Sequence, residues 1–224
     1  MKRSIIIVAG GKGLRAGGSI PKQFQLLCGK PVLMRTIETF YEYDTSMRII
    51  VVLPAGFDDL WQELCTQHHF TIPIEIVEGG ETRFHSVKNA LNLISDEEIT
   101  GVHDAARPFV TSKVIDECFK KASEKQCGAI PVVDEVNSVR YVNDENSVAL
   151  DRTRVKCVQT PQVFPGNTLK KAYLQPYSDL FTDDASVVEN AGHNVELVES
   201  DISNIKITTP FDFAIGELIL KSRT

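Results

Sequence analysis

What this chain lacks narrows its class before any motif is read. No segment approaches the roughly 20 apolar residues needed to span a bilayer, so no membrane partner is expected. The apolar run after Met1-Lys2-Arg3 breaks into glycines too early for a secretory leader, and no small-residue cleavage site follows it. Cysteine is sparse and unpatterned. Cys28, Cys65, Cys118, Cys127 and Cys157 are scattered, odd in number and never spaced as C-x-x-C, which argues against a disulfide framework and a zinc site. A reduced, cytoplasmic protein is the expectation. A basic excess is absent too: 24 Lys and Arg stand against 30 Asp and Glu, a net charge of −6. General nucleic-acid binding wants a basic surface, so no nucleic-acid partner is expected and local basic clusters are left to serve a small anionic ligand. Aromatic residues are few, but 42% hydrophobic content is that of an ordinary globular chain. No internal repeat or low-complexity linker divides the 224 residues, enough for one sizeable α/β domain.

What is present begins with Ile5-Ile6-Ile7-Val8, an unbroken apolar run of the kind found in a strand buried on both faces of a parallel sheet. It opens into Ala9-Gly10-Gly11-Lys12-Gly13-Leu14-Arg15, with Lys22 shortly after. Glycines let backbone N–H groups approach a bulky anion closely, and Arg15 and Lys22 put positive charge at the two ends of the loop. This is a place to hold phosphates. It is not a Walker loop, because no Gly-Lys-Ser or Gly-Lys-Thr follows. Gly11 to Ala16 formally matches the dinucleotide fingerprint. Gly17-Gly18-Ser19-Ile20-Pro21 opposes the helix that fingerprint needs, and Cys28-Gly29-Lys30-Pro31 stands where its acidic residue belongs.

Further on, strand and helix alternate. Pro31 fits the first turn of a helix to about Tyr43. Strands are predicted over Arg48 to Leu53, Ile72 to Val77, a short stretch ending Gly101 to His103, and Ala129 to Val133. Helices are predicted over Phe57 to His68 and Ser112 to Lys125, with Val87 to Ile94 the core of another between them. The class is therefore α/β with a mostly parallel sheet. Residues 134–153 break the rhythm: Val136 to Val142 and Ser147 to Leu150 read as a hairpin around Asn143-Asp144-Glu145-Asn146. A short hairpin is marginal alone, so it packs either on a second subunit or as an edge ribbon on its own domain. Lys156 to Val158, Val195 to Val198 and Ile205 to Thr208 are predicted strands. Asn167 to Leu174, Asp183 to Ala191 and Phe211 to Lys221 are predicted helices, the last opened by Thr209-Pro210.

Four polar clusters fall at predicted strand ends, where open α/β sheets bind ligands. They are the glycine loop, Glu78-Gly79-Gly80-Glu81-Thr82-Arg83 with Ser86 one turn on, His103-Asp104-Ala105-Ala106-Arg107-Pro108, and Asn204-Ile205-Lys206 inside its short strand. Converging cations with one placed acid suit a nucleoside triphosphate with a divalent metal. Asp104 is the best metal candidate, since Mg²⁺ is usually held by one or two carboxylates plus substrate phosphates; the alternative is that Asp104 caps a turn or pairs with Arg107. His103 is read as hydrogen-bonded structure rather than catalysis. Arg83, beside Gly79-Gly80, is read as nucleotide-binding, against the alternative of a surface residue.

Taken in order, AGGKGLR, PKQF, GGETR with Ser86, HDAARP, QTPQ and NIK resemble the 2-C-methyl-D-erythritol 4-phosphate cytidylyltransferase family over nearly the whole chain. The resemblance implies a single nucleotidyltransferase domain over 1–224, Rossmann-like with helices on both faces, and a protruding β-arm at about 134–153 that makes a homodimer and completes the neighbouring site. It implies CTP and a polyol phosphate as substrates and Mg²⁺ as cofactor. Carried over by position, Ala9, Gly10, Gly11, Gly13, Arg15, Lys22, Gly80, Glu81, Ser86 and Ala105 contact CTP, with Arg15 and Lys22 stabilising the transition state. Asp104, Arg107, Arg152, Thr160, Thr182 and Lys206 handle the methylerythritol phosphate or the metal, Arg107 and Arg152 serving across the dimer. Lys206 joins Arg15 and Lys22 in neutralising the α-phosphate. Two places depart from the family pattern. An apparent insertion at Pro131 to Ser138 makes Ser138 the hydroxyl of the arm, and Ser203 stands where the family has Asp before Asn204-Ile205-Lys206. The arm is what distinguishes this reading from a cytidylyltransferase for another polyol phosphate, such as ribitol 5-phosphate. A nucleotide-binding regulatory protein without turnover is the alternative of a different class.

Overall fold

The computed structural model describes residues 2–10 and 20–223. Its main sheet is built outward from β1, Arg3–Val8, which pairs in parallel with β4, Arg48–Leu53, on one side and with β6, Ile99–Asp104, on the other. β5, Glu75–Glu78, extends the β4 edge in parallel. The other half is centred on β7, Gly128–Asp134, which pairs in parallel with β12, Val195–Glu199, and antiparallel with β10, Lys156–Val158, and β11, Gln162–Pro165. β11 also pairs antiparallel with β6 and so joins the halves. Lys156 faces Asp134 and Val163 faces Ala129, a register offset of two. β10 and β11 thus run along one edge of β7, with residues about Thr160 bulged out between them.

Both faces are covered, as the uninterrupted apolar strands require. Ile5 and Ile7 of β1 pack with α1 (Val32–Tyr43), α2 (Asp58–Gln67) and α4 (Ser112–Lys125). Ile6 points the other way, into a cluster with α3 (Arg83–Leu91), α5 (Gly166–Ala172) and α6 (Asp184–Asn190). A third cluster seats α7, Pro210–Arg223, on Phe109, Leu27 and Ile207, beside the two-residue ladder of β2 (Leu26–Leu27) and β3 (Lys30–Pro31). Thr209 opens α7 with a reciprocal cap: its hydroxyl accepts from Asp212 N–H, and the Asp212 carboxylate accepts from Thr209 N–H. β8 (Val139–Val142) and β9 (Ser147–Leu150) form a two-stranded sheet of their own.

Several boundaries move for identifiable reasons. β5 starts at Glu75 rather than Ile72 because Pro73 has no N–H to give a ladder. α3 runs over Arg83–Leu91, reaching four residues ahead of the predicted helical core at Val87, because the Thr82 hydroxyl caps it. β8 begins at Val139, since Glu135 turns the preceding segment by accepting from Asn137 N–H. Residues 205–208 are not a strand: of their backbone N–H groups, Ile207 donates to Ala106 O at 2.8 Å, one bond rather than a ladder. β11 has no counterpart in the sequence reading, because prolines at 161 and 165 bracket its four residues like loop signals.

Gly166 sits where α5 crosses the loop before β6, and a Cβ there would lie 2.4 Å from Ser95 O and 3.0 Å from Glu98 O. Both are backbone atoms and cannot rotate away. Gly166→Ala is expected to destabilise the fold by about 1–3 kcal/mol, read as a lowered urea midpoint; an unchanged midpoint contradicts the packing described.

Candidate active site

The parallel strands deliver the polar clusters to one end of the sheet. Val8 is in register with Val52 on one side and Asp104 on the other. The lattice continues past the strands: Ala9 N–H donates to Val52 O at 2.9 Å, Ala105 N–H to Val8 O at 3.2 Å and Gly79 N–H to Leu53 O at 2.7 Å. Ala9-Gly10, Gly79-Gly80 and Asp104-Ala105 therefore share the carboxyl edge, with Glu81 exposed beside them. Gln23 is buried and donates to Ala9 O at 2.7 Å, which anchors the single 3-10 turn Lys22–Phe24 to the end of β1. Gly11, Gly13 and Arg15 lie outside the described residues.

The glycines on this edge give clearance. A Cβ on Gly10 would come within 2.7 Å of Ser86 Oγ, and one on Gly80 within 2.4 Å of His85 Cβ. Ser86 Oγ accepts from Gly80 N–H at 3.1 Å and donates to Thr82 O at 2.9 Å. Its proton is therefore occupied in holding the Gly79–Arg83 loop, a supporting role beneath the position the sequence assigns to nucleotide.

Asp104, at the end of β6, gathers three cations. Lys206 Nζ lies 2.9 Å and Arg107 Nε 3.1 Å from its Oδ2, and Arg83 Nε stands 3.8 Å from its Oδ1. Burial pushes the Asp104 carboxyl up, but Lys206, Arg83 and Arg107 outweigh it and hold the group well below the usual carboxylate range. Of the two readings of Asp104 from sequence, the pairing with Arg107 is what the geometry shows, joined by Lys206 and Arg83. Arg107 closes a turn, its N–H donating to Asp104 O at 3.1 Å, and its Nη1 donates to Asn204 O at 3.0 Å. Asn204 in turn donates to Gln159 Oε1 and Thr160 O, both at 3.0 Å. This mesh, not a strand, is what holds Lys206 against Asp104.

Arg83 reaches the cluster with its terminal nitrogens already engaged. They fork onto Asp184 at 3.0 and 2.6 Å, and Tyr173 Oη donates to the same carboxylate at 2.6 Å. Asp184 is fully buried. Sequence reading missed it, because Asp183-Asp184 looks like an ordinary acidic helix start; Asp183 is indeed the cap of α6. Thr182 is exposed just before this helix, its N–H donating to Ser186 Oγ at 3.1 Å.

Thr160 and His103 form the remaining buried pair. Thr160 Oγ1 lies 3.1 Å from Asp104 N and 3.0 Å from His103 Nδ1, and His103 Nε2 lies 2.9 Å from Arg107 O. Burial pushes His103 down to about 4, and both of its ring nitrogens are engaged in hydrogen bonds within the fold. Ser138 and Arg152 are on the hairpin segment. Both are exposed, Arg152 Nη1 donates to Val136 O at 2.5 Å, and among the described residues neither bonds to the Asp104 group.

Comparison with known proteins decides the family. The model of the 2-C-methyl-D-erythritol 4-phosphate cytidylyltransferase family matches residues 4–222. The chain belongs to this family. It is 54% identical over 220 residues to the 2-C-methyl-D-erythritol 4-phosphate cytidylyltransferase of Phocaeicola vulgatus, covering 98% of this chain and all of the relative. It is 53% identical to that of Bacteroides thetaiotaomicron, with the same coverage. Among solved structures, the Francisella tularensis enzyme of this name superposes with a TM-score of 0.81 at 32% identity, over 98% of this chain and 100% of that one. The 4-diphosphocytidyl-2C-methyl-D-erythritol synthase of Anaerococcus prevotii gives 0.83 at 25% identity, over 98% and 96%. Membership of the family agrees with the Rossmann-like, mostly parallel sheet described above.

Asp184→Asn removes the charge on which the Arg83 fork closes. Breaking a buried pair from one side costs about 3–5 kcal/mol; because the Arg83 side chain stays 30% exposed, roughly 2–3 kcal/mol is expected. Urea unfolding measures it, and a loss below about 1 kcal/mol would place the pair among ordinary surface bridges.

Proposed function

We propose that this protein transfers the cytidylyl group of CTP to 2-C-methyl-D-erythritol 4-phosphate, forming 4-diphosphocytidyl-2-C-methyl-D-erythritol and pyrophosphate in the non-mevalonate route to isoprenoids. The observation that carries this is the family match over residues 4–222 on a chain whose Asp104, Lys206, Arg107 and Arg83 meet at the carboxyl edge of the sheet.

The chemistry follows from charge. The nucleophile is a phosphate monoester with a second pKa near ~6, mostly dianionic at neutral pH, so it needs no general base. One of its oxygens attacks the α-phosphorus of CTP as the bond to pyrophosphate breaks. Two anions must be brought together, so the protein contributes alignment and positive charge. Lys22, Arg15 and Lys206 are assigned to the α-phosphate, Arg107 to the incoming phosphate, and Ala9, Gly10, Gly80, Glu81 and Ala105 to the nucleotide.

Mg²⁺ fits as a companion of the triphosphate. Among the described residues no group of three or more His, Cys, Asp or Glu side chains could hold a metal. Asp104 supplies one carboxylate, whose Oδ1 stands 3.8 Å from Arg83 Nε. Mg²⁺ takes one or two carboxylates and completes its shell with phosphates and water, and when bound it neutralises phosphate charge.

The hairpin supports a homodimer. Pairing of Val139 with Leu150 and of Tyr141 with Val148 puts four apolar side chains on one face. Tyr141 and Val148 are about 60% exposed, a surface suited to a second copy, which then receives Ser138 and Arg152. No helix among the described residues is long and apolar enough to cross a membrane, which agrees with a cytoplasmic enzyme.

Incubation with CTP, Mg²⁺ and a panel of polyol phosphates is expected to release pyrophosphate with 2-C-methyl-D-erythritol 4-phosphate and not with ribitol 5-phosphate; the reverse preference overturns the substrate assignment. Lys22→Ala is expected to lower kcat at least ~100-fold, the scale of losing one preorganised charge-stabilising donor, and a near-normal kcat removes that role. Tyr141→Asp is expected to turn a dimer into a monomer by light scattering and to depress activity; an unaltered dimer contradicts the arm as its interface.

A further inference from the structure

The hydrogen-bond inventory around His103 fixes where each proton sits. The ring is fully buried and packs edge-on against Phe40, with centroids 4.8 Å apart. Nε2 lies 2.9 Å from Arg107 O. A carbonyl only accepts, so Nε2 carries the proton. Full burial disfavours the imidazolium, which leaves Nδ1 a bare acceptor. Thr160 Oγ1, 3.0 Å away, must therefore donate to it. The same oxygen accepts Asp104 N–H at 3.1 Å. A threonine hydroxyl has one proton and two lone pairs, so Thr160 is left with a single lone pair and no proton to offer.

This constrains how Thr160 can meet a ligand. A phosphate dianion presents only acceptors, and Thr160 cannot bond to it. A polyol hydroxyl can donate to the remaining lone pair. The three bonds also bind the Asp104–Arg107 turn, which carries the carboxylate and one of its cations, to the bulge between β10 and β11. On the transfer reaction proposed above, we propose that His103 is a positioning residue: its Nε2–H tautomer accepts the Thr160 hydroxyl hydrogen bond at Nδ1 and clamps the Asp104–Arg107 turn, so that Thr160 serves the polyol as an acceptor and not the phosphate as a donor.

The tautomer is testable without turnover. In ¹⁵N-histidine spectra of the ligand-free protein, the His103 resonances, assigned by their loss in His103→Asn, are expected to show protonated Nε2 and unprotonated Nδ1. An Nδ1–H tautomer or an imidazolium at neutral pH overturns the proposal. The kinetic arm starts from wild-type turnover of CTP with 2-C-methyl-D-erythritol 4-phosphate; absence of that turnover counts against the proposed reaction, while the spectra still judge the tautomer. His103→Phe keeps the ring and its packing on Phe40. It is expected to lower kcat about 10–100-fold, the scale of a small misplacement of reacting groups, while KM for CTP stays within about threefold. Combined with Thr160→Val, it is expected to be no slower than the slower single variant, because the two side chains act as one unit. Wild-type kcat in His103→Phe, or losses that multiply in the double variant, contradict the proposal. Should His103→Phe fail to fold, His103→Asn, which keeps an acceptor for Thr160 but falls short of Arg107 O, is held to the same kcat and KM criteria.

Discussion

A buried carboxylate ringed by cations is the interaction on which the rest of this structure depends. Asp104 would be costly to hold ionised in the interior without compensation, and the three cations beside it would repel one another without Asp104. Each makes the other tolerable. Asp184 performs the same service for Arg83 one layer further in, and Tyr173 helps hold it there. The two carboxylates leave one surplus positive charge among Lys206, Arg107 and Arg83. That residue of charge, at the mouth of a glycine-lined edge, is what makes the site receptive to anions.

The fold explains how such distant residues meet. Asp104 ends β6 beside β1, so Ala9 and Gly10, where the chain leaves β1, lie next to it. Arg83 starts a helix packed on the opposite face of the sheet from α1, and Lys206 arrives from the far end of the chain. Neither would be fixed by its own element. Lys206 is carried on an irregular segment, and its place is set by Asn204, whose amide bridges Gln159 and Thr160 while its carbonyl takes Arg107. The β10–β11 bulge has a matching purpose, since bulges beside active sites re-aim side chains. Without two unpaired residues there, Thr160 would lie in the ladder instead of reaching Asp104 N–H and His103.

Much of this was legible from sequence, and the failures have physical causes. Long periodic segments such as α1 and α4 were read nearly to the residue, because burial of one face imposes a pattern that propensity does not contest. That Gly10, Gly79-Gly80 and Asp104 share one edge of the sheet was legible because each directly follows or ends a strand whose apolar run is plain in the sequence. β11 was hidden by its prolines. Residues 205–208 carried an apolar alternation that matches Ile205 and Ile207 packing under α7, not pairing in a sheet. Asp184 was hidden for a different reason: its importance lies in a partner a hundred residues away, and nothing local distinguishes an Asp that pairs with Arg83 from one that caps a helix.

The central claim is that this cationic cluster and the loop after β1 form one receptacle for a triphosphate. A crystal structure with CTP and Mg²⁺ bound tests it most directly. The account predicts the triphosphate lying between Lys22 and the Asp104–Arg107 turn, with Lys206 within ion-pairing distance of phosphate oxygens or of the space left for the second substrate. Nucleotide bound elsewhere on the molecule, with the ion pairs of Asp104 facing solvent alone, would contradict it.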